Sequence, residues 1–186
     1  MKKYYTIYAD PPWKERGGGQ IKRGANKHYS LMSVKEIINM KNFIDEISFD
    51  NCHLYLWVTN NFLESGLRVM KEWGFDYKTM ITWNKVLFDE WNNVLKGNIG
   101  LGQYFRGVTE HCLFGVKGNL PYKKENDKRI QGMTSFFSTK KKHSQKPEYM
   151  RKLIEKVSYP PYIELFARNK VPGWDFWGNE IDEKMK

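Results

Sequence analysis

Apolar and polar residues follow one another along this chain with two periods, a two-residue period typical of strands and a three- to four-residue period typical of helices. Residues 75–83 show the strand period, and residues 4–9, 53–59, 109–116 and 162–167 are short β-prone or apolar runs that also indicate strands. The helix period occurs in residues 33–40, 61–73 and 147–157. Ser33 and Glu36 form a capping box at the first helix, and Pro147 suits the first turn of the last. This alternation predicts an α/β fold with a mostly parallel, twisted sheet covered on both faces, in one domain spanning residues 1–186.

Polar residues follow three of the predicted strands at the point where each strand ends. Asp10 follows the first strand, residues 59–61 follow the second, and Arg168 and Asn169 follow the last. Ligands of parallel sheets bind beyond the carboxyl ends of the strands. We therefore expect these residues to lie at one edge of the sheet and to form a binding site.

Positive charge is concentrated in segments that show neither period. The chain carries 31 Lys and Arg against 21 Asp and Glu, a net charge of +10. Residues 117–146 hold nine Lys or Arg and two acids, and residues 14–29 hold five and one. Both segments are predicted to be loops, as are residues 84–108. The excess favours an anionic partner, most often nucleic acid, although a lysine-rich solvated surface gives the same composition.

Cysteine content and hydropathy indicate the compartment. Cys52 and Cys112 are too few for the disulfide framework of a secreted domain. Their neighbours His53 and His111 would point to opposite strand faces, so no metal site is expected. No apolar run is long enough to cross a membrane, and the amino terminus lacks the apolar core of a signal peptide. The sequence predicts a cytoplasmic protein that makes no contact with membranes.

The segment Asp10-Pro11-Pro12-Trp13 directly follows the first strand and has the residues for one particular reaction. The N6 amine of adenine is a poor nucleophile, and two acceptors for its N–H groups would free its lone pair. Asp10 and the carbonyl of Pro11 offer these acceptors, and the prolines stiffen the segment and remove competing backbone donors. Trp13 offers a flat face for a flipped-out base. The alternative is a rigid turn with a core tryptophan, since short motifs recur by chance.

Five further blocks accompany this motif. In chain order the six are ADPPW at 9–13, HYSLMSVKEI at 28–37, LYLWVTNNFL at 54–63, RGVTEHCLFGVKG at 106–118, HSQKPEYM at 143–150 and IELFARNKVPGWDFWGNE at 163–180. Together they resemble the MT-A70 family of adenine-N6 methyltransferases, in the order that the family has them. The resemblance implies a Rossmann-like class I methyltransferase fold with the catalytic motif ahead of the cofactor motif. It also implies S-adenosylmethionine as donor, S-adenosylhomocysteine as product, and a small enzyme of a bacterial or phage-infected cell.

The resemblance also implies roles for individual residues. The catalytic residues would be Asp10, Pro11, Pro12 and Trp13. The cofactor would contact Asp10, Lys146, Glu164, Arg168, Asn169, Asn179 and Glu180. The target would contact Tyr29, Trp57, Asn60, Arg106, Lys140, Lys141 and Lys142. Ordinary structural roles remain open for some of them: an ion pair between Glu164 and Arg168, a core position for Trp57, and exposed loop positions for Tyr29 and the lysine run.

The function expected from the sequence is site-specific methylation of adenine N6 in a nucleic acid. DNA is favoured because small stand-alone members of the family resemble bacterial or phage enzymes, while RNA stays open. A non-catalytic nucleic-acid-binding subunit and a methyltransferase for a small molecule or protein are the alternatives. A homodimer or a partner subunit is also possible.

Overall fold

The computed structural model describes residues 1–14, 31–89, 91, 93–97, 104–139 and 146–178. Its strands are β1 (Tyr4–Ala9), β2 (Ser48–Val58), β3 (Asp76–Phe88), β4 (Val94–Gly97), β5 (Thr109–Lys117), β6 (Lys124–Glu125), β7 (Lys128–Arg129), β8 (Ser135–Ser138), β9 (Tyr162–Leu165) and β10 (Trp174–Trp177). Its α-helices are α1 (Val34–Ile38), α2 (Lys41–Ile47), α3 (Leu63–Glu72) and α4 (Glu148–Val157). Aromatic and β-branched residues dominate β1, which ends before Pro11 because proline cannot donate to a neighbouring strand.

Eight of these strands form one mixed sheet in the order β10-β9-β1-β2-β5-β3-β4, with β8 also paired to β3. Strands β10, β9, β1 and β2 are parallel, and β5 runs antiparallel between β2 and β3. The carboxyl ends of β1, β2 and β9 therefore lie at one edge, which we call the carboxyl rim. Strand β5 begins at this rim, because His111 pairs with Val58 at the end of β2.

Two apolar layers cover the two faces of the sheet. On one face, side chains such as Ile7, Leu54 and Leu56 pack with residues from α1, α2 and α3. On the other face, Tyr8, Tyr55, Trp57, Trp83 and Cys112 pack with Met150, Leu153 and Ile154 of α4. The layers follow from the two-residue period of the strands, which sends neighbours such as Ile7 and Tyr8 to opposite faces. The prediction of an α/β fold with a mostly parallel sheet is confirmed.

Local structure departs from the sequence prediction in several places. The capping box is present: the Ser33 side chain accepts from the backbone amide of Glu36, and the Glu36 side chain accepts from the backbone amide of Ser33. The helix that it begins ends at Ile38, however, and α2 follows as a separate helix. The segments predicted to be loops contain short strands: β4 lies within residues 84–108, and β6, β7 and β8 lie within residues 117–146. Two- and four-residue strands are too short to show a period, so tertiary pairing decides them.

Within the residues that the structure describes, no helix has the length and apolar character needed to cross a membrane.

Candidate active site

The Asp10-Pro11-Pro12-Trp13 segment lies at the carboxyl rim and is held there from both sides. The amide of Asp10 donates to the carbonyl of Leu165 at the end of β9, at 3.4 Å. Beyond the prolines, the Met32 amide donates to the Pro12 carbonyl at 2.8 Å, and the Lys14 amide donates to the Met32 carbonyl at 2.9 Å. These bonds fix the backbone of the segment, so the acceptors on it keep their direction.

Trp13 is anchored through its indole. Its Nε1–H donates to the carbonyl of Trp57 at 2.9 Å, and its ring stacks on Phe62 at a centroid distance of 5.3 Å. The ring is half-buried. One face of Trp13 is therefore occupied by protein.

The carbonyl of Pro11 already accepts one hydrogen bond. The backbone amide of Trp13 donates to it at 2.9 Å. We expected the prolines to remove the backbone donors that compete for the acceptors of this segment. That expectation is wrong for the Pro11 carbonyl, because the chain turns at Pro12 and brings the backbone N–H of Trp13 to it. A carbonyl oxygen has two lone pairs, so a second acceptor position remains.

Four charged side chains of alternating sign lie side by side along the carboxyl rim. We call them the charged row: Asp10, Lys146, Glu110 and Lys85. The Nζ of Lys146 lies 2.7 Å from each carboxylate oxygen of Asp10 and 3.3 Å from Oε2 of Glu110. The Nζ of Lys85 lies 3.3 Å from Oε1 of Glu110. The exposed fractions of these side chains are between 11% and 18%, so each charge relies on its neighbours in the row.

The charges of the row shift the pKa values of its two inner members, Lys146 and Glu110. Burial alone would lower the pKa of Lys146, but the carboxylates of Asp10 and Glu110 hold it above its usual range. Burial alone would raise the pKa of Glu110, but Lys146 and Lys85 hold it below its usual range. Both groups therefore stay ionised at neutral pH, and the row offers carboxylate acceptors and an ammonium donor in one place.

Trp57 lies beneath this row. It is 1% exposed, and its Nε1–H donates to the hydroxyl of Tyr8 at 2.6 Å. The ammonium of Lys146 lies 5.3 Å from the centre of its ring, within cation–π range. The structure thus places Trp57 in the core layer under α4, as a support for Lys146.

Glu164 is held by Arg151 of α4 in a bidentate ion pair. Nε and Nη2 of Arg151 donate to its two oxygens at 2.7 and 2.9 Å. Arg151 is also 6.0 Å from the ring of Tyr8. Burial raises the pKa of Glu164 above its usual range, and the charge of Arg151 opposes that rise. The sequence allowed an ion pair between Glu164 and Arg168. In the structure, the bidentate ion pair of Glu164 is formed with Arg151.

The turn that leaves β9 is bent sharply toward β10. Phe166 has φ of 61°, a left-handed conformation that is unfavourable for a residue with a side chain. Gly178 fits against this turn because a Cβ there would lie 2.6 Å from the Ala167 carbonyl oxygen. Arg168 is half-buried and Asn169 exposed in the next residues. Asn179 and Glu180, which were also expected to contact the cofactor, lie outside the described residues.

Comparison with known protein families gives a match over almost the whole chain. The family model named MT-A70 matches residues 4–180. The chain belongs to the MT-A70 family.

Relatives of this MT-A70 chain carry methyltransferase names. The type II methyltransferase M.MunI of Mycoplasma sp is 30% identical over all of this chain and 81% of its own length. The human N(6)-adenine-specific methyltransferase METTL4 is 30% identical over 97% of this chain and 38% of its own length. The human N(6)-adenosine-methyltransferase catalytic subunit METTL3 is 27% identical over 98% of this chain and 29% of its own length. This chain thus spans most of the first relative and about a third of the other two.

The rim of this MT-A70 chain has groups that fit S-adenosylmethionine. The cofactor carries a carboxylate, an amine, ribose hydroxyls and an adenine edge. An ammonium has three N–H donors, so Lys146 could hold the carboxylate by releasing one of the two Asp10 oxygens. The remaining lone pairs of Glu164 could accept from hydroxyls. Among the described residues, no three His, Cys, Asp or Glu side chains are close enough to hold a metal ion together.

The residues expected to contact the target are only partly brought together. Asn60 lies at the carboxyl rim, where its Oδ1 accepts from Nε2 of His111 at 2.7 Å. Arg106 is exposed ahead of β5, beside Tyr104 and Phe105, which are each 91% exposed. The other target residues, Tyr29, Lys140, Lys141 and Lys142, lie outside the described residues.

Three residues of the site had no assigned role in the sequence. Glu110 and Lys85 complete the charged row, and Arg151 holds Glu164. Glu110 belongs to a block that resembles the family, and an acid shortly ahead of the apolar run at residues 112–116 is a usable signal. Lys85 and Arg151 gave no such signal, because their partners lie on other elements.

A cavity of about 240 Å³ opens on the α4 side of Lys146. It is lined by residues of the β8 exit and of the start of α4, among them Ser138, Tyr149 and Lys152. No residue of β1 or β9 lines it. It therefore extends the space beside Lys146 and does not overlap the turn after β9.

Proposed function

We propose that this chain is a site-specific methyltransferase that transfers a methyl group from S-adenosylmethionine to N6 of adenine in a nucleic acid. The observation that carries the proposal is the position of the Asp10 carboxylate at the carboxyl rim. Two prolines follow Asp10 and stiffen its backbone, and Lys146 donates hydrogen bonds to both of its carboxylate oxygens. Such a carboxylate is a directed acceptor in a largely desolvated place, which is what a weakly nucleophilic amine needs.

Asp10 can hold the amine while it remains paired with Lys146. A carboxylate has about four lone-pair positions, so each oxygen can accept a second hydrogen bond. One N–H of the amine would donate to Asp10 and the other to the second lone pair of the Pro11 carbonyl. When bound, the cofactor supplies an electrophilic methyl group on a sulfonium sulfur. Asp10 is then the nearest carboxylate to take the surplus proton of the methylated amine.

Trp13 would hold the adenine ring. Phe62 covers one face of its indole, and the bond to Trp57 fixes the ring plane. A flipped base could stack on the opposite face, which is worth about 1–3 kcal/mol per base in nucleic-acid complexes. The amine would then project toward Asp10, three residues away in the same segment.

DNA is the polymer that we propose first. The net charge of +10 and the basic segments suit a polyanion. The chain covers 81% of the type II methyltransferase M.MunI but 29% of METTL3, the N(6)-adenosine-methyltransferase subunit. We also propose a cytoplasmic location, and assembly either as a homodimer or with a partner subunit.

The test is a transfer assay on defined polymers. The protein is incubated with methyl-labelled S-adenosylmethionine and, separately, with duplex DNA, single-stranded DNA and RNA, and the products are digested to nucleosides. We expect N6-methyldeoxyadenosine, and the Asp10→Ala variant as control should give none. N6-methyladenosine from RNA alone would overturn the choice of DNA. Polymer binding without any methylated nucleoside would indicate a non-catalytic subunit.

A further inference from the structure

Lys85 ends the charged row on β3, at a distance of three strands from β1. Its Nζ lies 3.3 Å from Oε1 of Glu110, and its side chain is 11% exposed. Lys78, on the same strand, is 51% exposed. A lysine that binds polymer phosphates keeps its ammonium in water, whereas a buried ammonium is stable only beside a fixed anion. The burial of Lys85 therefore favours a role toward Glu110.

Glu110 is held in one orientation by two ammonium groups. Lys85 is at one of its oxygens and Lys146 at the other, both at 3.3 Å. The charged groups that face it are Lys85 of β3 and Lys146, which lies ahead of α4, and Asp10, which follows β1, lies beyond Lys146. Its neighbour His111 points to the opposite face of β5, where it contacts Asn60. Without Lys85, one oxygen of Glu110 would lose its partner and the carboxylate could rotate or take up a proton.

Lys146 depends on Glu110 in the same way. Its ammonium lies between Glu110 at 3.3 Å and the two oxygens of Asp10 at 2.7 Å. If Glu110 turns away or becomes neutral, Lys146 loses one of its two anionic partners. Asp10 alone would then set the position of the ammonium.

We propose that Lys85 is a positioning residue for the methyl transfer: it fixes Glu110, which holds Lys146 on the carboxylate of Asp10. The inference rests on the proposed function, because it assigns Asp10 the target amine. Lys85 itself touches neither the amine nor the cofactor in this arrangement. It acts across the antiparallel pair of β3 and β5, where Trp83 pairs with Glu110.

The first experiment compares three variants with the native protein in the transfer assay at saturating polymer. Lys85→Met removes the charge and keeps the length of the side chain, Lys85→Arg restores the charge, and Lys78→Met is a matched control on the same strand. We expect kcat of Lys85→Met to fall about tenfold, because small displacements of reacting groups have effects of this size or larger. Lys85→Arg should recover most of the loss, and Lys78→Met should equal the native protein.

Two further measurements separate positioning from a general structural role. In a Glu110→Gln background, Lys85→Met should lower kcat little further, because the two changes break the same link. The carboxyl carbon of Glu110, followed by NMR in the ligand-free protein, should titrate at higher pH in Lys85→Met than in the native and Lys78→Met proteins. The ratio of native to Lys85→Met kcat should accordingly grow as pH falls from about 8 to about 5.5.

Three results would overturn the inference, and each has a distinct meaning. An unchanged kcat with a raised polymer KM would make Lys85 a phosphate contact. An unchanged Glu110 titration would show that Lys85 does not act on that carboxylate. A loss of kcat equal in Lys85→Arg and Lys85→Met, with a lowered melting temperature, would make it merely structural. A native protein that methylates no polymer would instead overturn the proposed function.

Discussion

The ammonium of Lys146 lies 2.7 Å from each carboxylate oxygen of Asp10, although the two residues are 136 positions apart in the chain. The pair joins the Asp10-Pro11-Pro12-Trp13 segment after β1 to the residue that precedes Pro147 and α4. Their side chains are 12% and 17% exposed, so each charge would be poorly solvated alone. Glu110 gives Lys146 a second anion, and the loss of Asp10 would therefore leave the ammonium paired. This allows the chemical role of Asp10 to be tested separately from its contribution to stability.

Asp10→Ala should abolish methyl transfer, with a loss of at least about 100-fold, because it removes an acceptor from a desolvated site. Affinity for S-adenosylhomocysteine should stay within about tenfold of native, since the carboxylate acts mainly on the target amine. Asp10→Asn should also be severely impaired, because its amide presents donors where an acceptor is needed. Single-turnover transfer and calorimetry measure the two effects. Near-native turnover in Asp10→Ala would contradict the mechanism.

The ion pair between Arg151 and Glu164 should show strong non-additivity in unfolding experiments. Arg151→Met leaves a buried carboxylate without its cation and should lower the free energy of unfolding by about 3–5 kcal/mol. The double variant Arg151→Met/Glu164→Gln removes both charges and should recover much of that loss. Urea denaturation of the native, single and double variants gives the coupling energy. Additive losses would mean that the two side chains do not depend on each other.

Glu164→Gln tests whether the same carboxylate also serves the cofactor. If its remaining lone pairs accept from ribose hydroxyls, affinity for S-adenosylhomocysteine should fall by about 1–3 kcal/mol, the usual range for a lost buried partner. Polymer affinity should change little. Calorimetry at a temperature well below unfolding decides the matter. Native affinity combined with a lowered melting temperature would assign Glu164 to structure alone.

The sequence predicted the rim residues because they follow strands, and strand ends can be recognised from local composition. Asp10, Asn60 and Arg168 were placed in this way. The direction of β5 was not predictable, because the two-residue period is the same in parallel and antiparallel strands. The contact of Glu110 with Lys85 depends on the register between β5 and β3, which no local pattern contains. The charged row could therefore be found only once the strands were paired.

The lysine run at residues 140–142 should contribute to polymer binding by the same amount whatever the nucleotide sequence of the polymer. If Lys140, Lys141 and Lys142 contact phosphates, replacing all three with Ala should reduce the salt slope of log affinity by about two to three. Cofactor affinity should be native. Polymer affinity against salt concentration is measured for the native protein, the triple variant and Lys78→Ala as a control. Parallel lines for native and triple variant would mean that the run is only solvated surface.

The imidazole of His53 is buried on β2, at a distance from the carboxyl rim. Its Nδ1 lies 2.7 Å from the hydroxyl of Ser158, and its Nε2 lies 3.1 Å from the carbonyl of Leu120. The carbonyl can only accept, so Nε2 carries a proton, and Nδ1 can then accept from Ser158 in the neutral ring. Burial lowers the pKa of His53 below its ordinary value. The folded state therefore binds fewer protons than the unfolded state as pH falls below about 6.5.

It follows that the free energy of unfolding should decrease from about pH 7 to about pH 5.5, by at most about 1.4 kcal/mol for this histidine. His53→Gln removes the titrating group and should flatten that part of the curve, even if it lowers stability at every pH. His111→Gln serves as a matched control. Burial also lowers the pKa of His111, but this histidine is only half-buried. Its effect on the slope should be smaller. Urea denaturation at several pH values provides the curves, and an identical slope in native and His53→Gln proteins would show that the buried network does not respond to pH.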